Sequence, residues 1–243
     1  GVYADMKDSN MNTVYLGNFS IGMGRDYYQK DNKENTEALQ KYQDYVMAIF
    51  KVLKDDKATE KAKQMVDFER SVAKLMLTNE EDRNPNLSYN PQTMAELSKL
   101  VKNINLPQLL KNVGVNTDKV VVSEIRLYKQ YDKFINEKNL PLIKDYLKYQ
   151  LVADNASNLT KELDELSFNF YSKELQGQQE QRPMNKRALS VINGILGEAF
   201  GKLYVEKYFP PKAKEEMVTL VDYLKKSFAQ HINDLTWMSA ETK

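Results

Sequence analysis

Apolar residues recur every three or four positions over most of this 243-residue chain, and that spacing constrains the fold more than any other feature. Leu39, Tyr42, Val46, Ile49, Phe50 and Leu53 form one stripe, and Met94, Leu97, Val101 and Ile104 form another. Leu159, Leu163, Leu166 and Phe170 follow, then Met217, Leu220, Val221, Leu224, Phe228, Ile232 and Leu235. Side chains at this period share one face of a 3.6-residue helix. With only 9 glycines and 7 prolines, little interrupts them. Proline falls where helices start: Asn90-Pro91, and Pro211 after Phe209-Pro210, where a missing N–H costs nothing. Val120-Val121-Val122 is the one plausible strand, too short for a sheet of its own. The expectation is an all-α fold of about eight to ten helices, since helices average roughly 11–12 residues. No fixed-period repeat or low-complexity linker divides the chain, so residues 1–243 are expected to form a single helical domain.

The residue inventory removes several classes of chemistry. There is no cysteine and a single histidine, His231, so thiolate zinc sites, iron–sulfur clusters, disulfides, a cysteine nucleophile and any two-histidine metal site are excluded. The inventory leaves an all-oxygen Mg²⁺ or Ca²⁺ site open in principle, though no D-x-D-x-D-G loop is present. Lys plus Arg (35) balances Asp plus Glu (34), with no basic stripe of the kind nucleic acids require. No apolar run approaches the 18 residues of a membrane span, and the first residues are not a signal peptide.

Within this frame a few residues stand out. Glu69 lies in the apolar stripe of its helix, between Met65 and Val72/Met76. An ionised carboxylate there needs a partner, and Arg83 in the nearby TNEEDRNP turn offers one; the expectation is a buried Glu69–Arg83 pair that locks this loop. A catalytic Glu69 is the minor reading. Gly194, Gly197 and Gly201 share a helix face, where each costs roughly 0.8–1 kcal/mol against alanine, so close approach of a second helix is expected to offset about 2–3 kcal/mol. His231 sits beside the apolar face of the last long helix and reads as a surface histidine. Trp237, with Leu235 and Met238, reads as an anchor packing the chain end against another surface. Gly22-Met23-Gly24-Arg25-Asp26 does not form a phosphate-binding turn and reads as left-handed turn residues leading into Tyr27-Tyr28. The acidic clusters Asp55-Asp56 and Glu80-Glu81-Asp82 read as solvated charge. Ser239 and Glu241 begin a helix that stops after one turn, so the chain is expected to be a piece of a longer polypeptide, as Gly1 in place of methionine also suggests.

Five segments carry a family resemblance: RDYY (Arg25–Tyr28), EDRNP (Glu81–Pro85), YNP (Tyr89–Pro91), LGEAFGKLYVEKYF (Leu196–Phe209) and LTWMSAETK (Leu235–Lys243). With KDYLKYQLV (Lys144–Val152) and FYSKELQG (Phe170–Gly177) between them, the chain resembles the neprilysin and endothelin-converting-enzyme family of zinc metalloendopeptidases over nearly its whole length. It departs from the pattern at Ile21-Gly22-Met23-Gly24 and at Pro183-Met184-Asn185. The family's zinc is held by H-E-x-x-H on one helix plus a later glutamate, and none of these is present.

The resemblance therefore implies the amino-terminal, helical, non-catalytic lobe. In the family this lobe caps the catalytic lobe and encloses a chamber that admits peptides and excludes folded proteins. It implies no catalytic or metal-binding residue at any position here, no cofactor in this chain, and zinc in a catalytic lobe of the same polypeptide acting on short peptides. The lack of cysteine points to a bacterial parent, in the cytoplasm or outside it. The alternative is an independent helical binding or scaffold module without a protease half. An enzyme working with carboxylates alone is the least favoured reading. Apolar surface without a covering lobe is expected to drive self-association.

Overall fold

The computed structural model describes residues 1–243, and the chain is predominantly helical: twelve α-helices, eight of them seven residues or longer, with one small sheet. It divides into two compact units, Gly1–Gln179 and Glu180–Lys243, where a single domain was expected. The division falls in Gly177–Pro183, a stretch of Gly, Gln, Glu, Arg and Pro with no aliphatic or aromatic side chain to bury.

The first unit is built on α2 (Lys33–Val52) and α3 (Ala58–Ala73), which pack on each other. The short α1 (Arg25–Gln29) and the longer α9 (Leu140–Asn155) lie against both. Five residues of the stripe read from the sequence, Leu39, Tyr42, Val46, Ile49 and Phe50, are buried on α2 together with Tyr45, while Leu53 lies past its end. The buried face meets Ala62, Met65, Val66 and Val72 of α3. Each fully buried Ile, Phe or Met contributes roughly 1.5–3 kcal/mol, so this seam dominates the unit. Asn32 opens α2 by accepting the Asn35 N–H at 2.8 Å. Its far end closes on Lys54 in the left-handed conformation (φ 55°). There Lys54 N–H reaches Lys51 C=O at 2.9 Å and Asp55 N–H reaches Phe50 C=O at 3.0 Å, a Schellman closure.

The Val120–Val122 strand is present as part of β4 (Lys119–Val122), but it has company. The sheet order is β1 (Val2–Ala4), β2 (Asn12–Leu16), β4, β3 (Asn90–Thr93). β1 and β3 run antiparallel to their neighbours, with Val2 opposite Val14 and Gln92 opposite Val120. β2 and β4 are parallel, with Tyr15 opposite Val121. Asn90-Pro91 thus lies in an edge strand, where proline's lost donor does no harm, rather than at a helix start. The helix starts nearby use other signals. Asn84 and Pro85 begin α4 (Pro85–Ser88), and a Thr93/Glu96 capping box begins α5 (Met94–Leu100).

Two short helices, α6 (Leu106–Asn112) and α7 (Ile125–Tyr128), flank β4, and α8 (Tyr131–Phe134) precedes α9. After α10 (Lys161–Ser167) the backbone widens into a π-helical stretch, Phe168–Glu174. The wider turn brings sequence neighbours Phe170 and Tyr171 to the same side. Phe170 stacks on Tyr45 with centroids 5.0 Å apart, and Tyr171 meets Tyr45 edge-on at 5.4 Å.

The second unit is α11 (Met184–Tyr208) and α12 (Pro211–Asp234), the latter beginning at Pro211 as the sequence indicates. Neither helix buries a single residue. α11 is broken at Leu196 (φ −122°, ψ 18°), between Gly194 and Gly197, where glycine's low helix propensity makes a kink cheap. No helix of the structure is long and apolar enough to cross a membrane.

Replacing Lys54 by glycine removes the left-handed penalty of a side-chain-bearing residue, about 1 kcal/mol. The Lys54→Gly variant is expected to unfold at higher urea concentration with an unchanged slope. A variant of equal or lower stability would show that the Lys54 side chain contributes more than its backbone strain removes.

Candidate functional site

Glu69 is fully buried, as its place among apolar residues implies, but its partners are not charged. Its carboxylate accepts the Tyr28 hydroxyl at 2.6 Å, the Tyr42 hydroxyl at 3.0 Å and the Gly22 N–H at 3.3 Å. Arg83, at the end of an exposed turn (Glu81–Arg83), makes no ion pair, so the expected Glu69–Arg83 pair is replaced by phenols and a backbone amide. Phenols suffice because each brings an apolar ring and one donor, satisfying the carboxylate without desolvating a second charge. Burial pushes the Glu69 carboxyl up to about 7 against the pull of the three donors. Burial first, and Glu69 second, raise the Tyr28 hydroxyl, which stays a neutral donor.

The Gly22 amide belongs to a segment, residues 17–24, that crosses the first unit without regular structure. Where the carbonyls of this half-buried segment turn inward they must find partners, and tyrosine hydroxyls provide them. Tyr128 donates to Gly17 C=O at 2.7 Å, Tyr146 to Ser20 C=O at 2.5 Å and Tyr171 to Gly22 C=O at 3.0 Å. Phe19 is lodged among Phe68, Tyr131, Phe134 and Tyr146, with centroids 4.9–6.3 Å away. Gly22 is required by proximity, because a Cβ there would overlap the Tyr42 ring. It is not the left-handed turn residue expected; those conformations fall at Gly114 and Gly177, and Gly24 has φ −57°.

The EDRNP loop is held by two other arginines. Arg25, the first residue of RDYY, donates to Leu77 C=O at 2.7 Å and pairs with Asp82 at 3.4 Å and buried Glu124 at 3.5 Å. Glu124 also accepts the Leu77 N–H at 2.7 Å, and burial raises its carboxyl despite that bond and Arg25. Arg126 spans Met76 C=O at 2.6 Å and Glu81 at 3.0 Å. The acidic clusters are therefore not merely solvated. Lys61 likewise bridges Asp55 (2.7 Å) to Asp145 (2.9 Å), joining the start of α3 to α9.

The remaining candidates lie in the second unit. A Cβ on Gly194, Gly197 or Gly201 would meet nothing within 4 Å, so α12 does not pack closely on that face of α11. Trp237 is 76% exposed and His231 is exposed in the last turn of α12. No three His, Asp or Glu side chains converge in a way that holds a metal ion. Tyr28, Tyr42, Arg25, Arg126 and Glu124 carry no local signal of these roles beyond the two charged and two aromatic residues of RDYY.

A carboxyl with its native pKa raised from 4.5 to about 7 stabilises the fold fully below pH 4.5 and loses that contribution as pH rises through about 7. The loss amounts to about 3 kcal/mol. Between pH 5 and 8.5 the chain is expected to lose about that much more stability than Glu69→Gln, measured by urea unfolding. Parallel pH profiles for the two proteins would refute the assignment. Gly22→Ala is expected to cost about 1–3 kcal/mol in the same assay, from the overlap with Tyr42.

The whole chain, residues 1–243, matches the family model described as Peptidase family M13. Neprilysin-11 of Caenorhabditis elegans is 25% identical, over 100% of this chain and 30% of its own length. Endothelin-converting enzyme 1 of Mus musculus is 28% identical, over 100% and 32%. The neutral endopeptidase of Lactococcus lactis is 28% identical, over 99% and 39%. The Mycobacterium tuberculosis zinc metalloprotease Zmp1 in complex with inhibitor superposes with a TM-score of 0.85 at 26% identity, covering 100% of this chain and 37% of that one. PepO from Lactobacillus rhamnosis shares the fold, with a TM-score of 0.84 at 19% identity, over 99% and 39%. The chain thus spans about a third of the length of the curated relatives it matches. Its helical fold, its segment order and the match over every residue identify it as a member of peptidase family M13, in the family's amino-terminal, non-catalytic region.

Proposed function

We propose that the chain is the lobe that covers the active-site chamber of a zinc metalloendopeptidase and limits access to short peptides. The observation that carries this reading is the second unit, two helices of 25 and 24 residues that bury nothing. The apolar stripe of α12 (Met217, Leu220, Val221, Leu224 and Phe228) stands exposed, as do Ile195, Leu203 and Tyr204 of α11. Monomeric proteins rarely leave so extended an apolar surface uncovered. The similarity to proteins about three times as long supplies the occupant: the remainder of the polypeptide. On this reading Gly194, Gly197 and Gly201 admit a helix of the catalytic lobe, and Trp237 docks on the same lobe.

The residues here do not fit the zinc of the parent enzyme. His231 stands alone and exposed, and no cluster of three ligating side chains exists. Hydrolysis is assigned to the other lobe, which carries H-E-x-x-H. The similar zinc metalloprotease Zmp1 is described in an open state and in complex with inhibitor. A lobe that packs over a chamber accounts for the exposed apolar side chains of the second unit.

Leu224→Asp with Phe228→Asp tests the docking. In the full-length polypeptide the pair is expected to lower stability by about 1.5–3 kcal/mol per side chain and to speed cleavage of longer peptides. In the 243-residue chain each change stays within about 0.5 kcal/mol, as for other exposed sites. Equal effects in both proteins, or none in either, would overturn the reading. So would turnover of a quenched fluorescent peptide by the 243-residue chain.

A further inference from the structure

The chain that covers Glu69 is itself lightly held. Residues 20–24 run between two fixed points. On one side the Phe19 ring is lodged among Phe68, Tyr131, Phe134 and Tyr146. On the other, Arg25 is pinned to Leu77 C=O and Glu124. Between them the backbone has no helix or strand, and few bonds hold it. Tyr146 donates to Ser20 C=O and Tyr171 to Gly22 C=O. Gly22 N–H donates to Glu69, and Met23 N–H lies against the Tyr28 oxygen. Gly22 also lines a pocket of about 320 Å³ with Ser20, Ile21, Tyr149, Tyr171 and the exposed Asp154. One residue therefore touches both the buried carboxylate and a cavity that reaches the surface.

The groups around Glu69 decide which charge state this cover suits. Tyr28 faces it from α1 and Tyr42 from α2. Tyr146 and Tyr149 of α9 and Tyr171 of the π-helical stretch also feel its charge, and burial keeps all three hydroxyls neutral. One turn away on α3 itself stand Met65, Val66, Val72 and Ala73, all buried and apolar. Arg25 of α1 is turned to Glu124 and Asp82, and Asp154 across the pocket is itself an acid. None of these groups is a cation directed at the carboxylate. Ionising Glu69 thus places an uncompensated charge where water does not reach. Three donors offset part of that cost, and burial outweighs them. Lifting residues 20–24 gives up the Gly22 bond and lets water in from the pocket, so the open arrangement accepts a charge that the closed one resists.

We propose that residues 20–24 are a pH-sensitive strap, closed over neutral Glu69 and released when Glu69 ionises. A carboxyl raised to about 7 under the closed strap, and nearer 4.5 in water, favours closure below pH 7. Above that, opening becomes about tenfold easier per pH unit. Such an opening is local, because Phe19 and Arg25 stay in place while the strap moves. It lies wholly within the first unit and requires no second lobe.

Amide hydrogen exchange of the 243-residue chain, corrected for the base-catalysed rate of an unstructured peptide, reads the strap through the Gly22 and Met23 amides. Their protection is expected to be constant from pH 5 to 6 and to fall about tenfold between pH 7.5 and 8.5. At every pH it should lie below that of amides inside α2. Glu69→Gln keeps the hydrogen-bonding shape without the charge and should give a flat profile. Tyr171→Phe removes one strap anchor without touching Glu69. It should lower protection of Gly22 and Met23 by about fivefold to tenfold at all pH values, with the pH dependence kept. Constant protection of these two amides in the unaltered chain would overturn the proposal. So would protection equal to that of the α2 amides, which would mean that the strap opens only when the whole unit unfolds. No change on Tyr171→Phe would sink it as well. Should Glu69→Gln fail to fold, the unaltered chain and Tyr171→Phe decide the matter between them.

Discussion

The first unit depends on a single buried carboxylate and the donors gathered around it. Glu69 draws together Tyr28 of α1, Tyr42 of α2 and the Gly22 amide, so one side chain of α3 fixes three separate parts of the chain. Removing the carboxylate from water is costly, and only several good hydrogen bonds offset that cost. Those bonds have direction, which apolar packing lacks. The α2–α3 seam would tolerate small slides between helices; the Glu69 cluster does not, because a shift at Tyr42 separates its hydroxyl from Oε1 and brings its ring against Gly22.

The same economy extends along residues 17–24. Fifteen tyrosines are a large share for a chain of this size, and several serve one purpose. Their rings complete the apolar core while their hydroxyls satisfy carbonyls of an irregular, half-buried segment. Charge is kept for the rim, where Arg25, Arg126 and Lys61 tie loops to helices. The second unit has no comparable device. Its two helices, the first kinked at Leu196, leave long apolar side chains exposed and bury no residue.

Much of this was legible beforehand, and the failures have physical causes. The α2 stripe, the start of α12 at Pro211 and the strand at Val120–Val122 follow from period and propensity, which act locally. β1, β2 and β3 were missed because strands of three to five residues carry almost no periodic signal and form only through pairing across the chain. Glu69 was recognisable as buried, but not its partners. Tyr28 and Tyr42 count as apolar in a helical stripe, and nothing local shows which way a hydroxyl points. Arg83 looked available because it was near in sequence; Arg25, far in sequence, was near in space.

What the sequence by itself determined is the helical class, the lack of any thiolate or two-histidine ligand set and the family, because composition, periodicity and motif order do not depend on how elements meet. Tertiary structure alone decided that the tyrosines, and not an arginine, satisfy Glu69, and that the valine strand pairs with β2 on one side and β3 on the other. Each of those rests on contacts between residues tens of positions apart. Such contacts are selected by the joint packing of whole helices, a property no local window of sequence contains.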